Sequence, residues 1–168
     1  EALPIETNDE GKENLFAGRC DVYTTDASGL SSTRAAAADP GKWLVLPEII
    51  SKEPLGPLVR HGDHQWGDVV RWSLNAMIIA EELGITSENV DASKGSNVPE
   101  VLRLLGVEGS YGEMLELAPD WAYQIIKQIG NYSESYEANV GPDTPLEIAR
   151  GLNALWTQGG ILYAPPFR

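Results

Sequence analysis

Residues 18–30 read Gly18-Arg-Cys-Asp-Val-Tyr-Thr-Thr-Asp26-Ala-Ser-Gly-Leu30. Cys20–Thr25 is of the β-branched and aromatic kind that suits a pleated, half-buried surface, and it predicts a strand. The Ala-rich stretch Ala27–Ala38 predicts a helix, and Asp26 stands at the junction, where an aspartate can cap it. Working outward, Ala2–Glu6 and Trp43–Leu46 read as further short strands and Asp9–Ala17 as a helix stopped by Gly18. Strands alternating with helices at this spacing are βαβ units, whose natural product is a parallel sheet. The expected fold class is α/β.

The texture changes at Pro47–Arg60. Three prolines break a segment of strand character, which reads as a crossing strand or connector between two structural units. From Asp63 onward the pattern is helical. Asp63 can cap a helix running to Glu82, with Trp66, Val69, Val70, Leu74, Met77 and Ile78 on one face and Gly84 as the stop. Asn97–Glu100 opens a short helix carrying Val101, Leu102, Leu104 and Leu105. Pro119 opens another carrying Trp121, Ile125 and Ile129. Thr144-Pro-Leu-Glu147 has the form of a capping box and predicts a helix with Ile148, Leu152, Leu155 and Trp156 as its stripe. Trp72, Tyr111, Tyr123, Tyr132 and Tyr136 are expected to pack these helices together.

The chain has 168 residues and 25 acidic against 12 basic side chains, a formal net charge of -13 spread along its length. A phosphate-tracking surface would oppose that field, so nucleic acid is not an expected partner. No apolar run approaches the ~20 residues of a membrane span, so membrane insertion is not expected. The first residues lack a basic start and an apolar stretch, so an export signal is expected to be absent from this chain. No repeat, linker or low-complexity segment divides it.

Residues that could carry chemistry are few. His61 and His64 flank Asp63 at a spacing that would suit metal ligands on a turn, but a polar loop before a capped helix gives the same pattern. No P-loop, dinucleotide fingerprint or nucleophile elbow is present, and no catalytic residue, metal or cofactor is expected. Cys20, the single cysteine, reads either as a small buried hydrophobe or as half of a disulfide whose partner lies elsewhere. Asp26 falls at the carboxyl edge of the expected sheet, where open α/β folds bind ligands. It can pair with an ammonium group or simply cap the helix, and Thr24, Thr25 and Ser28 supply hydroxyls that fit either role.

Residues 18–30, with Leu46-Pro-Glu-Ile-Ile-Ser-Lys-Glu-Pro-Leu-Gly-Pro-Leu-Val-Arg60, resemble the periplasmic general L-amino-acid-binding proteins of polar amino-acid ABC transporters. Arg71–Ala76, Ala80–Thr86, Gly130–Tyr132, Arg150–Trp156 and Gly159–Arg168 are similar to the C-terminal part of that family. The resemblance covers essentially the whole chain and corresponds to the C-terminal half of such a protein.

The resemblance implies a truncated type II periplasmic-binding-protein fold. Residues 1–50 would be a partial second lobe (βαβαβ), residues 51–62 the hinge, and residues 63–168 the helical return to the first lobe. Asp26 falls where relatives receive the α-ammonium of an amino acid, with Thr25, Thr24 and Ser28 around it. The implied partners are a polar or general L-amino acid and an ABC transporter permease, and the implied location is the periplasm. Because half a clamp does not enclose a ligand, a homodimer rebuilding the cleft is expected. The alternative is a remnant of the family that oligomerises or meets the transporter without binding. Family members would also place a partner for Cys20 in the absent part of the second lobe. Without that partner, Cys20 would stay free, be buried or bridge two chains.

Overall fold

Residues 2–167 are described by a computed structural model of the chain; Glu1 and Arg168, the outermost residue of the last quoted stretch, lie outside it. Seven α-helices follow one another in the described residues: α1 (Asn8–Phe16), α2 (Ala27–Ala35), α3 (His64–Glu82), α4 (Val90–Ser93), α5 (Pro99–Leu104), α6 (Trp121–Ile129) and α7 (Tyr132–Asn139). Single 3-10 turns lie at Pro40–Lys42, Glu113–Leu115, Gly151–Asn153 and Trp156–Gln158.

The long helix α3 organises the C-terminal two thirds. The Asp63 carboxylate accepts a hydrogen bond from the Trp66 amide at 3.1 Å and satisfies one of the open donors of the first turn. Ala76, Ile78, Ile79 and Ala80 are buried, and α5, α6 and α7 pack around α3. Leu104, Leu105, Ile126 and Val90 complete the most buried layer. Each large aliphatic side chain removed from water there contributes roughly 1.5–3 kcal/mol. The chain end is tied into the same core: the Phe167 ring stacks on Trp72 at 5.2 Å and meets Tyr111 and Trp121 at 5.5 and 6.1 Å.

The expected strands are corrected by the structure. Ala2–Glu6, Cys20–Thr25 and Trp43–Leu46 form no ladder, and a lone parallel bridge between Leu155 and Leu162 is the β-pairing among the described residues. A strand is stable only when its backbone donors and acceptors meet a neighbour, and these three segments make no such pairing among the described residues. Ile5 and Tyr23 press on α1 so closely that a Cβ at Gly11 would lie 2.7 and 2.6 Å from them. The connector at 47–60 is likewise unpaired, with Leu58 99% and Ile50 82% exposed.

The helix expected from Thr144 to Trp156 does not form either. Leu146 N–H does reach the Thr144 hydroxyl at 3.2 Å, but Glu147 takes a left-handed backbone (φ 52°) and sends its carboxylate to Arg34 at 2.7 Å. The left-handed Glu147 ends any helical continuation from the Thr144 turn, and the segment continues as turns, with the Glu147 carboxylate paired to Arg34 more than a hundred residues away. Trp66, expected on the buried face of α3, is 55% exposed; the buried residues of that helix, Ala76, Ile78, Ile79 and Ala80, fall in its C-terminal half. Helices α1, α3, α5 and α6 lie where the sequence places them, and α2 ends at Ala35.

Candidate functional site

Helix α2 begins at Asp26, and the residues around its first turn make the candidate site. Asp26 has extended backbone angles (φ -60°, ψ 154°), which turn its side chain back over the helix N-terminus. Its Oδ1 accepts the Gly29 amide at 2.8 Å and the Ser28 hydroxyl at 2.5 Å. Its Oδ2 accepts a long contact of 3.4 Å from the Thr25 hydroxyl.

These donors favour the charged carboxylate. The Ser28 hydroxyl most strongly, then the Gly29 amide, hold the Asp26 carboxyl below its ordinary value against the opposing effect of partial burial. The two oxygens are unequally used. A carboxylate oxygen can accept about two hydrogen bonds, so Oδ1 is filled while Oδ2 keeps capacity for a further donor. A cationic donor such as an ammonium would form a charge-assisted bond there, with the Ser28 and Thr25 hydroxyl oxygens nearby as acceptors.

The structure thus brings together Asp26, Thr25 and Ser28. Thr24 is exposed and makes none of the contacts to the carboxylate. Gly29 was not legible as a site residue from the sequence, although an aspartate at the cap position implies a role for the amide three residues on. Gly29 also keeps the free oxygen approachable, since a Cβ there would stand 2.8 Å from Oδ2 and 3.1 Å from Thr25 Cγ2. Arg34, near the far end of α2, binds Glu147 at 2.7 Å and fastens α2 to the segment after α7.

The other candidates resolve differently. Asp63 between His61 and His64 is engaged as the cap of α3, and no cluster of three or more potential metal ligands occurs among the described residues. Cys20 is a free, half-exposed thiol just after α1. No helix of the described residues is long and apolar enough to cross a membrane.

Comparison with known proteins gives a consistent result. The chain is 56% identical over 160 residues to the glutamate/glutamine/aspartate/asparagine-binding protein BztA of Rhodobacter capsulatus, covering 95% of this chain and 47% of that protein. It is 54% identical to the putative amino-acid ABC transporter-binding protein YhdW of Escherichia coli, covering 99% of this chain and 49% of that one. Its structure superposes with a TM-score of 0.91, at 51% identity, on an ABC transporter periplasmic binding protein from Brucella ovis solved with glutathione bound. That match covers 98% of this chain and 52% of the other. The chain therefore spans about half the length of the curated relatives it matches. No family model matches it.

Proposed function

We propose, from the premise that the chain is a half-length homologue of the solute-binding proteins of amino-acid ABC transporters, that it supplies the ammonium-receiving face of an amino-acid site. Asp26 takes the α-ammonium on Oδ2, and Thr25 and Ser28 line the approach. One observation carries this reading: the carboxylate is held ionised and in place by Ser28 and Gly29 on Oδ1, while Oδ2 has the single long Thr25 contact and keeps capacity for a further donor. The ligand class is an L-amino acid, polar or general, the working partner is an ABC transporter permease, and the compartment is the periplasm.

In this reading residues 1–50 are part of the second lobe of a periplasmic-binding-protein fold, with their βαβ strands completed by pairing outside the chain. Residues 51–62 are the hinge and residues 63–168 the helical return to the first lobe. Tight small-molecule sites bury most of the ligand, whereas Asp26 stands on an open surface, so the second wall must come from further polypeptide. A second copy of this chain related by a two-fold axis is one way to supply it. The exposed apolar side chains Ile49, Ile50, Leu55 and Leu58 of the connector, with Leu44 just before it, favour such pairing.

Isothermal titration with each common L-amino acid tests the proposal. Heat with at least one of them, abolished in Asp26→Asn, is expected; silence with all of them leaves the non-binding, oligomerising or transporter-meeting reading in its place. That alternative is favoured by the openness of the site in the chain taken alone. Light scattering at micromolar concentration decides the dimer, since a monomer would remove a second copy as the other wall.

A further inference from the structure

On the face of the molecule formed by α3 and the C-terminal arm, a groove of about 190 Å³ lies away from Asp26. Leu83 and Phe167 contribute to its apolar floor, Trp156 and Tyr163 to one wall, and Glu82 and Glu100 supply carboxylates. The two rings meet edge to face with centroids 5.8 Å apart. Trp156 Nε1 donates to Glu82 Oε1 at 3.0 Å, which fixes both the indole and the carboxylate and leaves Glu82 Oε2 available. Glu100 enters no salt bridge among the described residues.

We propose that this groove receives a single lysine or arginine side chain presented by a partner polypeptide. The residue types select the charge: aromatic faces and carboxylates together attract a cation, while the apolar floor suits the aliphatic stem of a long basic side chain. The lining residues described bring negative charge only, on a chain whose net charge is -13. The volume selects a side chain over a free ligand, because whole small molecules occupy pockets of about 300–1,000 Å³. The surroundings select a protein partner. Trp156 and Tyr163, which line the groove, are 51% and 68% exposed, the kind of accessible aromatic surface that interface anchors use.

The test is an NMR titration of the isotopically labelled full chain, read at the Trp156 indole N–H. The probes are Nα-acetyl-lysine N-methylamide, its arginine counterpart and the isosteric norleucine derivative. Saturable shifts with the two cations, absent with norleucine, are expected, and Glu82→Gln and Glu100→Gln should each weaken binding about threefold. Asp26→Asn should leave the titration unchanged, which separates this site from the amino-acid site. Equal shifts with norleucine, no shift at all, or indifference to both glutamate substitutions would overturn the proposal. So would a large gain in affinity on Arg168→Ala, which would make Arg168 of the same chain the occupant.

Discussion

Arg150 Nη2 lies 3.1 Å from both carboxylate oxygens of Glu81, and the two side chains are 15% and 9% exposed. The guanidinium also donates to the Asn153 carbonyl from Nε and Nη2 and sits 5.3 Å from the ring centroids of Tyr132 and Tyr136. This one residue joins the last turn of α3, one face of α7 and the start of the C-terminal arm. Removing one partner of a buried pair strands the other charge, so Arg150→Ala should cost roughly 3 kcal/mol. Arg150→Lys should recover only part, because an ammonium lacks the planar fork that reaches Glu81 and Asn153 together. Urea unfolding with an unchanged slope checks this; a midpoint equal to the unsubstituted chain would refute it.

A second node holds the start of α7. Asn131 and Glu134 form a reciprocal capping box, and Glu134 also accepts the Ser87 amide and hydroxyl at 3.1 and 2.6 Å. Asn131 is buried and donates to the Ile85 carbonyl at 2.9 Å. Glu134→Ala should therefore lose more than an ordinary cap worth about 1 kcal/mol, since it also orphans Ser87. Amide hydrogen exchange should speed up at Ser87 and Asn131 together. Acceleration confined to α7 would show that the link to the 85–87 loop carries no stability.

These two nodes show where sequence reading succeeded and failed. Helix α3 was legible because Asp63, a 3.6-residue apolar pattern and Gly84 all act within the helix itself. The capping signal Asn131-x-x-Glu134 was equally local but went unread beside Tyr132 and Tyr136. The non-helical path at 144–156 was not legible, because nothing in the local pattern marks Glu147 for a left-handed backbone, and the contacts it makes there, to Arg34, are far away in the chain. Strand character at Cys20–Thr25 was real as composition, yet pairing is non-local, and the described residues bring no neighbour to it. At the site, Asp26, Thr25 and Ser28 could be read from type and order. For Gly29 only the amide was implied by the cap position; its second contribution, the absence of a side chain beside Oδ2, was not.

Gly106 illustrates how little room the turns leave. It has φ +69°, and a Cβ there would collide with the Pro119 carbonyl oxygen. Gly106→Ala must both strain the backbone and push apart the turns that follow α5 and precede α6. A loss above about 2 kcal/mol is expected in thermal or urea unfolding. A loss below about 0.5 kcal/mol would mean that the two turns slide past one another freely.

Acidification should act on Asp26 in a defined direction. Its carboxyl lies below the ordinary value of 3.8, first through the Ser28 hydroxyl and then the Gly29 amide. A carboxyl lowered on folding stabilises the folded state above its unfolded value and loses that contribution as pH falls through its folded value. The stability difference between the unsubstituted chain and Asp26→Asn should therefore shrink below about pH 4. The effect is small because the group faces solvent. A difference that stays constant from about pH 6 to pH 2 would contradict the capping geometry.

Gly29→Ala separates the two roles of Asp26. Alanine is the better helix former by about 1 kcal/mol, so on propensity alone the substitution strengthens α2. The added methyl would stand 2.8 Å from Asp26 Oδ2, the oxygen proposed to receive an ammonium, while the amide that bonds Oδ1 is retained. If Asp26 were only a cap, Gly29→Ala would leave amino-acid binding untouched. If Oδ2 receives the ligand, binding should fall by tenfold or more, about 1.4 kcal/mol, with melting temperature within a few degrees of the unsubstituted chain. Calorimetry and thermal unfolding on the same preparation give both numbers. Undiminished binding in Gly29→Ala, alongside lost binding in Asp26→Asn, would move the ligand contact from Oδ2 to Oδ1 and require Ser28 to yield its hydrogen bond.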